Sequence, residues 1–282
     1  MTRTADILAW IGTRIGKPLG YERVVRLLLP PEKCAAMPEL CLLRDGSLFL
    51  IRPGLPLGWY VTFFGSFEPE LREIFRAVLP PAGVAIDIGA NVGWHTLLMA
   101  RLSGTHGRVL AVEPNPSVRA QLARNIRLNR LDHVDVIPYV VAETEKSLAF
   151  CGPDANDPSS GDGYVASADE ARTDLLSLDA RPLDAITGEA RLERLDLIKI
   201  DVEGYEWPVL QGGEHTIAKW RPYIVFEFDR AYAGRGGGTP ELIADFFDRH
   251  GYELFEVQRG RAQAVELSNW PNCANLLAIP TK

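Results

Sequence analysis

From residue 83 onward, short apolar segments alternate with segments whose apolar residues recur at helical spacing. The five apolar segments read VAIDIG, RVLAVEP, HVDVIPYVV, LDLIKID and YIVFEFD. Parallel strands need a long crossover between them, so this alternation predicts an α/β fold with a doubly wound parallel sheet. Ligands of such sheets bind beyond the carboxyl ends of the strands, where we therefore expect the functional residues.

The remaining sequence suggests flanking elements. Residues 1–68 combine apolar residues at helical spacing near the start, a hairpin turning at Asp45-Gly46, and the aromatic stretch GWYVTFFGSFEPE without helical period. We expect 1–68 to be an N-terminal extension that caps an acceptor site, and 69–282 to be the main domain.

Residues 151–172, rich in Gly, Asp, Ser and Pro, are expected to form a mobile loop over the site. YELFEVQ and QAVEL predict a C-terminal hairpin, and CANLLAIP a final short strand.

Composition excludes several classes of function. The 282 residues carry 30 Lys and Arg against 37 Asp and Glu, a formal charge of −7, which argues against a nucleic-acid partner. No apolar run reaches the roughly 18–20 residues that span a bilayer. The four cysteines form no C-x-x-C pair, and the N-terminus lacks signal-peptide features, so we expect a cytoplasmic protein.

A glycine-rich turn follows the first predicted strand, in Asp87-Ile88-Gly89-Ala90-Asn91-Val92-Gly93. Its spacing differs from the G-x-G-x-x-G dinucleotide fingerprint, and the Gly-Lys-Ser/Thr of a phosphate loop is absent. The acidic Asp87 suits a cationic ligand better than a diphosphate. S-adenosylmethionine, which carries a sulfonium and an ammonium, fits this pattern.

Glu113 ends the second predicted strand, 20 residues after Gly93. An acidic side chain at that place in a doubly wound sheet accepts hydrogen bonds from ribose hydroxyls. The alternative is that Glu113 caps the helix that begins near Pro116.

Two further carboxylates follow the fourth predicted strand, in the segment IKIDVEGYE. Asp201 lies at the strand tip, and Glu203 lies in the loop before Gly204. They could bind the methionyl ammonium, take a proton from an acceptor, or hold a divalent metal. Charge complementarity to the helix N-terminus is the alternative for Glu203 and the simpler interpretation for Glu206. Lys199 is interpreted as structural.

Together these motifs resemble the FkbM-type family of S-adenosylmethionine-dependent methyltransferases. FFGSFEPE, IDIGANVGWHTLLMA, VLAVEPNPSVRAQLARNIRLN, LDLIKIDVEGYEWPVLQGG, IVFEFD and NLLAIP carry the resemblance over roughly residues 63 to 280, weakly across 143–190. The resemblance implies a class I methyltransferase (Rossmann-like) fold with a seven-stranded sheet whose last strand is antiparallel, a strand that the C-terminal hairpin would supply. It also implies O-methylation of a sugar, glycoside or polyketide hydroxyl.

The resemblance extends to a set of site residues. The cofactor would contact Glu68, Asp87, Gly89, Ala90, Asn91, Gly93, Thr96, Glu113, Pro114, Asn115, Val140, Val141, Ala142 and Asp201. The catalytic candidates are Asp201, Glu203 and His95, with Glu227 and Asp229 as further possible bases. A divalent metal on Asp201, Glu203 and Asp229 is possible but not predicted. A helix-capping role for Glu68 and a packing role for His95 are the structural alternatives.

Other functions with this fold are less consistent with the sequence. A nucleic-acid methyltransferase would be expected to show an Asn-Pro-Pro-aromatic motif and a basic surplus, and a nicotinamide dehydrogenase a different glycine spacing. A non-catalytic cofactor-binding or scaffold protein is the main alternative, although Asp201 and Glu203 argue against it. A homo-oligomer is compatible with the sequence.

Overall fold

The computed structural model describes residues 3–12, 20–34, 40–43, 45–52, 54–152, 163–167, 174–258 and 261–281. Its strands are β1 (Leu40–Leu42), β2 (Leu48–Leu50), β3 (Val84–Ile88), β4 (Arg108–Val112), β5 (Val134–Ile137), β6 (Val140–Val141), β7 (Lys146–Cys151), β8 (Tyr164–Val165), β9 (Leu176–Arg181), β10 (Leu197–Ile200), β11 (Tyr223–Asp229), β12 (Tyr252–Gln258), β13 (Arg261–Ala264) and β14 (Cys273–Pro280). Its α-helices are α1 (Arg3–Trp10), α2 (Tyr21–Leu28), α3 (Pro56–Phe64), α4 (Pro69–Val78), α5 (Trp94–Ser103), α6 (Pro116–Leu128), α7 (Leu183–Glu189), α8 (Glu206–Gly212), α9 (Glu214–Trp220) and α10 (Pro240–Arg249).

The main sheet, within the described residues, has eight strands in the order β13-β12-β14-β11-β10-β3-β4-β5. Strands β5, β4, β3, β10 and β11 are mutually parallel, whereas β14 runs antiparallel between β11 and β12. The predicted doubly wound α/β fold with an antiparallel last strand is therefore confirmed. The strand order reverses between β3 and β10, which is where such sheets bind ligands.

The C-terminal hairpin does not occupy its predicted place. It was expected to supply the antiparallel last strand, but that strand is β14, in which Leu276 and Ala278 are fully buried. The hairpin forms β12 and β13, and β13 adds an eighth strand at the sheet edge. A strand inside a sheet that is covered on both faces needs apolar side chains on both faces, and CANLLAIP meets that need better than QAVEL.

A second sheet, with the order β6-β9-β7-β8, was not predicted. The segment HVDVIPYVV, expected to be one strand, divides at Pro138 into β5 of the main sheet and β6 of this one. Part of the expected mobile loop is also regular, because β7 runs to Cys151 and pairs with β8. The rest of that loop prediction, residues 153–162 and 168–172, lies outside the described residues.

The N-terminal region has its own small core, in which Tyr21, Trp59, Phe63 and Phe64 pack together. The predicted hairpin is confirmed as β1 and β2, with Leu40 opposite Leu50. The aromatic stretch is partly helical, contrary to expectation, because it contributes most of α3. Five of the nine residues of α3 are buried and only Pro56 is exposed, and a helix that lacks a solvent-exposed face shows no amphipathic period.

Side-chain amides on α6 attach this N-terminal region to the main domain. Three amide side chains lie on one face of the C-terminal half of α6 and its C-cap, at intervals of four residues: Gln121, Asn125 and Asn129. Asn125 Oδ1 accepts the Leu50 N–H at 2.7 Å, and Asn129 Oδ1 accepts the Leu48 N–H at 2.9 Å. Gln121 and Asn125 donate to the Leu50 carbonyl, and Asn129 donates to that of Leu48. We call these three side chains the amide ladder; they bind β2 much as a neighbouring strand would.

Replacing Asn125 with alanine is expected to lower the free energy of unfolding by about 2 kcal/mol. Its side chain is fully buried and also donates to the Val92 carbonyl at 2.7 Å, so the change leaves several buried backbone groups without partners. Urea denaturation would measure the loss, with Arg127→Ala as the exposed control on the same helix. Equal midpoints for the two variants would contradict the importance of the ladder.

Candidate active site

A cavity of about 330 Å³ opens at the carboxyl ends of β3, β4, β10 and β11. This volume lies in the range of about 300–1,000 Å³ typical of small-molecule sites. Most of the site residues predicted from the sequence lie in its wall: Glu68, Gly89, Ala90, Asn91, His95, Glu113, Pro114, Asn115, Val140, Val141, Asp201 and Glu203. The fold therefore brings together side chains that are far apart in the sequence.

The other predicted residues, Asp87, Gly93, Thr96 and Ala142, do not line the cavity. Asp87 is fully buried; its Oδ2 accepts the Thr96 hydroxyl at 2.6 Å. Its Oδ1 lies 3.9 Å from Lys199 Nζ and has no hydrogen-bond partner among the described residues. These residues support the wall from behind, and their predicted contact with a cofactor stays a prediction.

The glycine turn fixes how the strand ends meet. Gly89 has φ +80°, and a Cβ atom there would lie 1.8 Å from the Asp201 carbonyl oxygen. The N–H groups of Gly89 and Ala90 both donate to the Val112 carbonyl, at 3.0 and 2.9 Å. Because the turn contacts both neighbouring strands closely, Glu113 at the end of β4 and Asp201 at the end of β10 face one cavity.

Glu113 is only 6% exposed and organises the turn. Its carboxylate accepts the N–H of Asn91 at 3.0 Å and that of Asn115 at 2.8 Å. Burial raises the pKa of Glu113 to about 7, although these two hydrogen bonds oppose the rise. The capping alternative does not hold, because Asn115 caps α6 by accepting the N–H groups of Ser117 and Val118. Each Glu113 oxygen keeps a lone pair for a ligand hydroxyl.

A group of carboxyls surrounds the buried Lys199 at the opposite end of the cavity. Lys199 Nζ donates to Asp201 Oδ2 at 2.9 Å, and the Lys199 side chain is 3% exposed. Burial by itself would raise the pKa of Asp201, but the charge and hydrogen bond of Lys199 lower it. The carboxylates around Lys199 raise the pKa of its ammonium, against the effect of burial. Asp201 is therefore an anion at neutral pH, held by a permanently charged lysine.

Glu227, on β11, is a carboxylic acid at neutral pH. Burial and the charge of Asp201, with which Glu227 shares a hydrogen bond, raise the pKa of Glu227 to about 9. The charges of Glu203 and Glu68 act in the same direction. Of the two paired carboxyls, Glu227 holds the proton and Asp201 is ionised.

The proton on Glu227 predicts how stability changes with pH. An acid whose pKa is raised on folding binds more protons in the native state, so stability falls as pH rises from about 4.5 to about 9. Glu227→Gln keeps a hydrogen-bond donor but does not titrate. Relative to wild type, we expect this variant to gain at least about 1.4 kcal/mol between pH 5 and pH 9, the equivalent of one pKa unit.

Urea denaturation at both pH values would measure this gain. Glu73→Gln is a suitable control, because the Glu73 side chain is 65% exposed on α4. A stability difference between Glu227→Gln and wild type that does not change with pH would contradict the assignment.

His95 and Glu68 form a pair beside these carboxyls. His95 Nε2 lies 2.8 Å from Glu68 Oε2, and Asn275 Nδ2 donates to Glu68 Oε1 at 2.9 Å. Burial would raise the pKa of Glu68, but the hydrogen bond and charge of His95 lower it. The capping alternative for Glu68 does not hold, because its side chain makes no cap hydrogen bond to α4. Edge-on contact with Phe75 shows that His95 also has the packing role that was its alternative.

The metal ligands suggested by the sequence are only partly brought together. Asp201, Glu203 and Glu227 each place an oxygen within 4.8 Å of the others, whereas the suggested Asp229 is not in this group. Asp229 instead accepts the Ala231 N–H at 2.8 Å. Lys199 and the proton on Glu227 already balance much of the charge, so we derive no metal-dependent step.

One part of the wall, from the second sheet, was not predicted from the sequence. It adds Tyr139, Phe150, Gly163 and Val165 beside the predicted Val140 and Val141. Short strands without clear alternation gave no signal for it. The N-terminal region, expected to cap an acceptor site, also contributes to the wall, although its residues were not predicted individually: Ile51, Arg52, Leu55, Pro56, Leu57, Gly58 and Phe67.

The strand order and the cavity at the carboxyl edge define a class I methyltransferase fold. The sequence profile of the Methyltransferase FkbM domain matches residues 87–254. The chain belongs to this FkbM methyltransferase family, as its motifs indicated.

Three curated proteins are similar to this chain. The AMB antimetabolite synthetase AmbE of Pseudomonas aeruginosa is 30% identical over an alignment of 221 residues that covers 67% of this chain and 10% of the relative. The 2-O-methyltransferase NoeI of Sinorhizobium fredii is 27% identical over an alignment of 182 residues that covers 58% of this chain and 71% of the relative. The hexuronic acid methyltransferase AglP of Haloferax volcanii is 25% identical over an alignment of 147 residues that covers 50% of this chain and 55% of the relative. This chain thus spans only a tenth of AmbE and just over half of AglP.

Proposed function

We propose that this protein is an S-adenosylmethionine-dependent O-methyltransferase that acts on a hydroxyl of a small sugar-containing or natural-product acceptor. The observation that carries the proposal is the paired carboxyls of Asp201 and Glu227, held by Lys199 in a cavity whose other end presents Glu113. Such an arrangement offers a base at one end and a partner for ribose hydroxyls at the other.

The donor set fits S-adenosylmethionine. The negative charge of Asp201, Glu203 and Glu68 suits its sulfonium and ammonium groups. Glu113 suits the ribose hydroxyls, and the apolar Val140 and Val141 suit the adenine ring. When bound, S-adenosylmethionine supplies an electrophilic methyl group.

The residues around the acceptor have distinct tasks in this proposal. Asp201 accepts the proton of the acceptor hydroxyl, because this proton becomes acidic as the oxygen bonds to the methyl carbon. Lys199 keeps Asp201 ionised, and the hydrogen bond with Glu227 fixes the direction of its carboxylate. Alignment of the reacting groups, rather than strong basicity, contributes most of the rate in such a site, about 7–11 kcal/mol.

The acceptor class follows from the wall and the relatives. We assign the N-terminal region, which adds Ile51, Leu55 and Phe67 to the wall, as the acceptor cap. NoeI is a 2-O-methyltransferase and AglP a hexuronic acid methyltransferase, which supports a hydroxylated, sugar-like acceptor. Among the helices in the described ranges, none has the length and hydropathy needed to cross a membrane.

Release of S-adenosylhomocysteine from purified protein tests the proposal. The acceptor panel contains sugar nucleotides, glycosides, uronic acids and polyketide alcohols, each with and without EDTA. Acceptor-dependent release, with a new methyl ether detected by mass spectrometry, is the expected result. Loss of release in EDTA would add a divalent cation to the mechanism. Binding of the cofactor without turnover on any acceptor would favour the non-catalytic alternative.

A further inference from the structure

The loop that carries Glu203 into the cavity is held in an unusual conformation. Glu203 has φ +53° and Gly204 has φ +96°, both in the left-handed region. For glutamate this region is sparsely populated, so the surrounding contacts must fix it. On the inner side, Glu206 Oε1 accepts the N–H groups of Val202 at 3.3 Å and Gly204 at 3.1 Å.

On its outer side, the loop is held by residues that follow β11. Arg235 Nη1 donates to the Glu203 carbonyl at 2.9 Å, and the Gly236 N–H donates to the Gly204 carbonyl at 3.0 Å. A Cβ at Gly204 would lie 2.1 Å from the Tyr232 carbonyl oxygen, so only glycine allows this approach.

The guanidinium of Arg235 also contacts two aromatic rings. Its Cζ atom lies 3.8 Å from the ring centroid of Tyr164 and 4.3 Å from that of Tyr232. Tyr164 belongs to β8, and its neighbours Gly163 and Val165 line the cavity. Arg235 therefore connects two parts of the cavity wall, the Glu203 loop and the second sheet. These two parts are far apart in the sequence.

We propose that Arg235 is a positioning residue: its stacked guanidinium holds the Glu203 carbonyl, keeps the Glu203 carboxylate beside Asp201 and Glu227, and couples this loop to β8. A planar guanidinium can stack on a ring and donate to a carbonyl at the same time, which lysine cannot do equally well. We call the contacts of Arg235 with the Glu203 carbonyl and the Tyr164 ring the clamp. The expected effect on kinetics rests on the proposed methyl transfer, whereas the clamp can be tested without turnover.

Hydrogen–deuterium exchange of the ligand-free protein tests the clamp. The first variant is Arg235→Lys. Tyr164→Leu is a second variant, which tests the same contact if Arg235→Lys fails to fold. We expect exchange over 201–206 to accelerate about 10-fold or more in both, because the clamped loop opens more often. Arg235→Lys should also accelerate exchange over 163–167. Arg230→Ala, an exposed arginine of the same segment, is the control and should change neither. Unchanged exchange over 201–206 would overturn the inference.

Kinetics then separate positioning from simple stability. We expect Arg235→Lys to lower kcat about 10- to 100-fold, the cost of a small misplacement of reacting groups, while the calorimetric Kd for S-adenosylhomocysteine changes less than about twofold. Faster exchange with unchanged kcat would overturn the positioning role. If wild type transfers no methyl group at all, the proposed function fails, and exchange over 201–206 alone decides whether the clamp stands.

Discussion

Asp201→Asn is expected to fold and bind cofactor, yet to transfer methyl groups at least about 100-fold more slowly than wild type. The amide has nearly the shape of the carboxylate and still offers an oxygen to Lys199 Nζ, now 2.9 Å from Asp201 Oδ2. It cannot, however, accept a proton from an acceptor hydroxyl. Initial rates of S-adenosylhomocysteine release at saturating acceptor would measure the loss.

Two further variants make this experiment decisive. Asp229→Asn makes the same chemical change at the end of β11, on a residue that does not line the cavity, and should keep wild-type turnover. Removing one member of a buried ion pair can destabilise a protein by about 3–5 kcal/mol. If Asp201→Asn unfolds, combining it with Lys199→Met and Asp87→Asn removes the charges of all three partners. Wild-type turnover in either Asp201 variant would exclude Asp201 as the base.

Glu113→Ala is expected to weaken cofactor binding by about 2–4 kcal/mol, which is roughly 30- to 800-fold in Kd. The change removes the acceptor for ribose hydroxyls and also the partner of the Asn91 and Asn115 N–H groups. Glu113→Gln, which keeps one acceptor oxygen, should weaken binding less. Titration calorimetry with S-adenosylhomocysteine measures both.

A modified ligand separates the ribose contact from loosening of the turn. S-adenosylhomocysteine lacking the ribose 2′-hydroxyl should bind more weakly than the natural ligand to wild type, but equally to Glu113→Ala. The ribose role fails if the deoxy ligand is discriminated to the same degree by both proteins. Because the pKa of Glu113 is about 7, wild-type affinity should also rise as pH increases through 7, and Glu113→Gln should not show that rise.

The sequence was most informative where strand register determines position. Glu113 and Asp201 directly follow β4 and β10, and Asp87 is the last residue but one of β3. Parallel strands of one sheet end at a common edge. Counting along each strand was therefore enough to place all three near the cavity. It could not show that Asp87 lies behind the wall, because that depends on contacts with Thr96 and Lys199 from other elements.

The residues that were missed or misjudged act through three-dimensional contacts. Glu206 lies in the first turn of α8, in agreement with its interpretation as a helix-end charge, but its buried side chain also holds the loop of Glu203, which the sequence did not indicate. Lys199 was interpreted as structural, although it determines the charge of Asp201. Arg235 had no signal in the sequence, since its partners Tyr164 and Glu203 meet it only in the folded chain. Contacts between residues that are distant in the sequence cannot be deduced from one sequence.

The amide ladder has a consequence for how acceptor choice could diverge within such a protein. Gln121, Asn125 and Asn129 bind the main chain of Leu48 and Leu50, and main-chain recognition is indifferent to the side chains displayed. Arg52 lines the cavity directly after this segment and is half-buried, so it can be exchanged while the attachment persists, whereas Ile51 is buried in the core shared with the main domain. Libraries at Arg52 should explore new acceptors at little risk to the cofactor half of the molecule.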